Sequence, residues 1–192
     1  MPIIAGKDLA TEEWLRIHDE WVREPPACQQ DQQVAFLQER GPDPALWYHT
    51  VRSWQWCADP AVLKWMAAQP EFDGSAASMM LMAFGGEWRD REEAGRMGEM
   101  FDALQICAER WRAGTLPVRF GFDANVARSF EEARRQFLER RSRIGNPPVW
   151  DLPAAAFGPF PGPTPRPPTD VGWDGAGDFK QPLEAWFRAR YL

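Results

Sequence analysis

Residues 59–86 read DPAVLKWMAAQPEFDGSAASMMLMAFGG, and this stretch decides the fold class. Asp59-Pro60 is a helix start signal: an aspartate cap, then a proline whose fixed φ and missing N–H suit the first helical position. Val62, Leu63 and Met66 follow at helical spacing until Pro70 ends the segment. Asp73 then caps a second, apolar helix, SAASMMLMAF, closed by Gly85-Gly86. The same device opens an earlier helix at Asp43-Pro44-Ala45-Leu46-Trp47. Short helices joined by turns of two to five residues pack as antiparallel neighbours, so residues 43–86 predict stacked helical hairpins in an all-α domain.

Upstream, Thr11 is the expected cap of a first helix that carries Trp14, Ile17, His18, Trp21 and Val22 on one face and stops before Pro25-Pro26. A short helix fits Asp31 to Arg40, with Val34, Phe36 and Leu37 inward and Gly41 able to take the left-handed closing conformation. Downstream, one long helix is expected from Asp90 to Ala113, with Met97, Met100, Phe101, Leu104, Ile106, Cys107 and Trp111 inward and Gly114 as terminator. Another runs from Asp123 to Ile144, with Val126, Phe130, Ala133, Phe137 and Leu138 on one side, and ends at Gly145. Its six arginines are offset by Glu131, Glu132 and Glu139, which reads as a solvated face. LPVRFGF between these two helices is an extended connector.

Nine of the eighteen prolines fall between Pro147 and Pro168, which excludes helix and central strand there. Their interleaving with Trp150, Leu152, Phe157 and Phe160 favours a segment laid across the helical body over a disordered tether. A last helix is expected from Gln181 to Leu192. The chain thus divides into a helical domain (1–145), a proline-rich extended segment (146–178) and a C-terminal helix packing on the same domain (179–192).

Chemical motifs are sparse. His18 and His49 are the only histidines, and each reads as a hydrogen-bonded core or boundary residue rather than a catalytic base. No nucleophile elbow, phosphate loop, dinucleotide fingerprint or paired metal-ligand spacing occurs, so no metal, no cofactor and no catalytic residue is expected. Cys28, Cys57 and Cys107 are too few and too widely spaced for a disulfide framework, and read as reduced core thiols. Asp59, Glu71 and Asp73, near Trp54, Trp56 and Trp65, are the acids that a carboxylate-only hydrolase would use. Asp59 and Asp73 already have an explanation as helix caps. The longest apolar run, Met79 to Phe84, is too short to span a bilayer, and the expected location is cytoplasmic.

Charge and aromatic content point to binding instead. Residues 1–109 carry 19 acids against 9 bases, and residues 110–192 carry 9 against 13, so the two parts stand at −10 and +4. A negative face repels nucleic acid and attracts a basic partner. Eleven tryptophans accompany it. Trp14, Trp21, Trp65 and Trp111 lie in apolar stripes and are expected in the core. Trp54 and Trp56 cannot share one helix face, and Trp88 follows the double glycine. With Asp59, Glu71, Asp73 and Glu87 they form the candidate partner-binding surface.

The segment from Trp54 to Phe84 also resembles an uncharacterised bacterial helical domain family of unknown function. The resemblance rests on Trp56 with Asp59, the amphipathic Val62–Met66, Gln69-Pro70 with Asp73, and the small pair Ala76-Ala77. It implies bacterial origin and a small helical domain, and carries no activity. Together these features predict a non-enzymatic protein-binding protein, most concretely an immunity-type inhibitor that occludes a basic toxin domain. A regulator with a tryptophan-lined pocket for a small molecule or peptide, and the carboxylate-only hydrolase, are the alternatives.

Overall fold

A computed structural model describes residues 34–52, apart from Phe36, and residues 60–166. Six helices order these residues, and no strand occurs among them: α1 (Pro44–Arg52), α2 (Pro60–Ala68), α3 (Gly74–Phe84), α4 (Arg91–Ala94), α5 (Gly98–Arg112) and α6 (Ala124–Arg143). The all-α expectation holds. The expected helices at 11–24 and 181–192 lie outside the described residues. Of the short helix expected at 31–40, residues 34, 35 and 37–40 are helical, with Leu37 buried.

Local chemistry sets most helix ends. The Asp43 carboxylate accepts from Leu46 N at 2.9 Å and is held by Arg40 at 2.8 Å. Asp123 caps α6 by accepting from both Asn125 N and Val126 N at 2.9 Å. Gly114 and Gly145 close α5 and α6 in the left-handed region, where a Cβ would be strained. The long helix expected from 90 to 113 is instead broken. Asp90 caps the short α4, Gly95 turns at φ 52°, and a 3₁₀ turn (Gly95–Met97) leads into α5. Apolar periodicity ran through this break because the spacing on either side still matches one helix.

Helix α3 is the centre of the molecule. Nine of its eleven residues are buried, and it packs against α1, α5 and α6. A helix without a polar face has no solvent side, so it must be enclosed. The closest helix pairs are therefore α2 with α5 and α3 with α6, rather than sequence neighbours. Gly74 lets α5 and the following connector approach the start of α3: a Cβ there would come within 2.9 Å of both the Trp111 ring and Val118. Arg110 stitches α5 to the end of α2 by donating to the carbonyls of Ala67 and Gln69 at 2.7 and 2.6 Å.

The proline-rich residues 147–166 form a strap across this body, with 3₁₀ turns at Pro148–Trp150 and Ala154–Phe157. Trp150 is fully buried, edge-on to Phe101 and Phe137 with ring centroids 5.8 and 6.2 Å away. Phe160 enters a second aromatic group made by Trp111, Phe122 and Phe130. Arg112 and Arg141 donate to strap carbonyls at Pro148 and Trp150. Gly121 and Gly162 let the connector and the strap touch backbone to backbone, and Gly121 N donates to Pro163 O at 3.1 Å. Several side-chain expectations change: Val34, Met97, Ile106 and Ala133 are only half-buried at the rim of the core. Leu138 is 39% exposed because it sits beside, not on, the buried stripe of α6, and Trp65 is half-buried against the edge of Trp47.

Candidate binding surface

Three of the seven candidate residues, Trp54, Trp56 and Asp59, lie outside the described residues. The other four fall at opposite ends of α3, which at 1.5 Å per residue separates them by about 16 Å. Glu71 and Asp73 stand before its N-terminus, and Glu87 and Trp88 follow its C-terminus.

Asp73 is 1% exposed. One carboxylate oxygen accepts from Ser75 N and Ser75 Oγ at 2.9 and 2.6 Å, and the other accepts from Arg119 N at 2.7 Å. It caps α3 and pins the 115–122 connector, which receives a second bond when Gly74 N donates to Pro117 O. Asp73 therefore faces inward and offers no charge to a partner. Sequence reading identified its capping role; only the fold revealed that the capping site is interior. Glu71 is half-buried, and its backbone carbonyl accepts from Arg119 Nη1 at 3.1 Å.

The other end is open to solvent. Gly86, at φ 75°, turns the chain out of α3 and exposes Glu87, which pairs with Arg140 at 3.2 Å. Arg140 also donates to Met82 O at 2.6 Å, tying α6 to α3; its burial lowers the guanidinium pKa while Glu87 raises it. Trp88 is half-buried, and its carbonyl accepts from the Trp150 indole at 2.7 Å, so this corner is fixed to the strap. Asp90 and Glu93 then close a reciprocal cap: Glu93 N donates to Asp90 and Arg89 N donates to Glu93, at 2.9 and 2.7 Å.

From Glu87 an acidic shelf extends along α4 and α5. Residues 87–109 carry seven acids and three arginines. Asp102 is engaged by Lys64 at 2.9 Å and Arg91 at 2.8 Å. Desolvation raises its pKa, but hydrogen bonds from Lys64 and Arg91 outweigh this and hold it below the usual carboxylate range. Glu92 and Glu99 are exposed on the same shelf, and Glu99 lies 3.9 Å from Lys64. Neither was singled out from the sequence. The local signal was the acid excess over 87–109, submerged in the count for the whole N-terminal part.

The described residues carry sixteen acids and sixteen bases. Their charge is nevertheless segregated: −5 up to residue 109 and +5 from 110 to 166. The net −6 of the chain therefore resides in the remaining residues.

Other titratable groups serve the interior. His49 Nε2 lies 3.0 Å from Pro165 O, and burial lowers its pKa. Tyr48 donates to Gly121 O at 3.2 Å, and burial raises its pKa to about 12. The Cys107 thiol is fully buried and is likewise pushed up to about 12 by desolvation. Among the described residues no group of three His, Cys, Asp or Glu side chains is placed to hold a metal ion, and no helix is long and apolar enough to cross a membrane.

These features define a helical body with a docked strap and an acidic shelf. Comparison with protein-family models, curated proteins and solved structures finds no match for this chain.

Proposed function

We propose that this protein acts by binding another macromolecule, and that the acidic shelf of α4 and α5, with Trp88 at its edge, receives a basic partner. The most concrete form of this reading is an immunity-type inhibitor that occupies the basic active site of a bacterial toxin domain. One observation supports it above the others: within a body of balanced charge, Glu87, Glu92, Glu93 and Glu99 are exposed together on a shelf held by caps, ion pairs and the strap. Preorganised charge of one sign accelerates encounter with an opposite surface, and a neighbouring aromatic adds short-range affinity.

Capture with the tagged full-length protein at low salt tests this reading. The expected result is one stoichiometric partner rich in lysine and arginine, whose association slows by about tenfold between low and moderate salt. Replacing Glu92 and Glu99 together by lysine should slow association further while leaving the fold intact. A partner bound equally fast at all salt concentrations, or one indifferent to this double replacement, would overturn the reading.

A further inference from the structure

Only Val126, Phe130 and Phe137 are buried among the twenty residues of α6. On the opposite side lie Arg128, Glu132, Arg135 and Glu139, all exposed. Their spacing of four, three and four residues places them within about 60° of one another around the helix axis, so they form one straight row facing away from the body. The signs along the row alternate: positive, negative, positive, negative.

A row with this pattern is complementary to its own reversal. We propose that α6 pairs antiparallel with α6 of a second copy of this chain, about a twofold axis crossing the helix between Ala133 and Arg134. Arg128 then faces Glu139 of the second copy, and Glu132 faces Arg135 of the second copy. The symmetry repeats both contacts, giving four opposed charge pairs. Parallel pairing in register would set each charge against its like.

The monomer leaves the outer members of the row available. Glu132 already holds Arg135 at 2.6 Å, whereas Arg128 and Glu139 form no ion pair within the described residues. A shallow, open depression lined by Arg128, Glu131, Glu132, Arg134, Arg135 and Leu138 lies beside this row. Leu138, the exposed leucine of α6, flanks the row and supplies an apolar component. The row from 128 to 139 is only about 16 Å long. A contact of that size belongs to the small, weak class of interface and depends strongly on salt.

Sedimentation velocity on the full chain, as a concentration series at low and high salt, tests this. The sedimentation coefficient should rise with concentration at low salt, and the rise should disappear at high salt. R128E and E139R should each weaken the dimer by about tenfold or more, because each creates two like-charge contacts. The double variant R128E/E139R should restore it, since the reversed charges again face their opposites. Circular dichroism melts of all four proteins establish that each is folded. A monomer at every concentration, or a dimer that the double variant fails to restore, would overturn the proposal.

Discussion

Helices α3 and α6 pack against each other yet represent opposite ways of making a helix. In α3 nine of eleven residues are buried, whereas in α6 three of twenty are. The first owes its stability to its surroundings, because GSAASMMLMAF has no charged side chain to pair and its serines and glycine favour helix weakly. The second adds local support to its three buried contacts: Arg134 pairs with Glu131 at 2.8 Å and Arg135 with Glu132 at 2.6 Å, each three residues apart. Enclosure leaves α3 little surface to offer, only parts of Met79 and Ala83. The solvated α6 keeps most of its length available to other molecules.

Matched substitutions should expose this contrast. Leu81→Ala in α3 removes a fully buried side chain and should cost about 2–5 kcal/mol, whereas Leu138→Ala in α6 should cost less than about 0.5 kcal/mol. Chemical denaturation of the two variants measures both, and similar losses would break the comparison. The caps should differ in the same direction. Asp73→Ala strands buried donors of Ser75 and Arg119 and should cost about 3 kcal/mol. Asp123→Ala exposes its donors to water and should cost about 1 kcal/mol.

A smaller effect comes from His49, which couples the end of the strap to α1. Burial depresses its folded pKa below the ordinary 6.5, so protons bind the unfolded chain more readily. The stability contributed by neutral His49 should be complete above pH 6.5 and decline as pH falls below it toward the folded pKa. In a His18→Gln background, denaturation midpoints should fall between pH 7.5 and 5.5, and His49→Gln should flatten that dependence. The smallest effect should come from Arg134→Ala, which removes one exposed ion pair and should shift stability by less than about 0.5 kcal/mol.

Much of the architecture was legible before any tertiary information. Asp43-Pro44, Asp59-Pro60 and Asp73 mark helix starts, while Gly114 and Gly145 mark ends, because caps and left-handed closures depend on neighbours within a few residues. The aromatics of the strap likewise signalled docking. The break at Gly95 was missed because an apolar repeat can continue in phase through a short irregular turn. The candidate surface was less legible. Asp73 is charged, near tryptophans and within the acidic part of the chain, yet it is interior; Glu92 and Glu99 have unremarkable sequence neighbours, yet they stand in the open.

The sequence by itself determined the helical class, most helix termini, the strap and the segregation of charge along the chain. These follow from local hydrogen bonding, side-chain periodicity and composition, none of which requires knowledge of distant residues. Only the tertiary structure decided that α3 is central, that α2 packs on α5, that Trp150 lies beneath Trp88, and which carboxylates face water. Those outcomes depend on contacts between residues far apart in the chain, where burial and hydrogen-bond satisfaction are settled jointly by all the elements that meet.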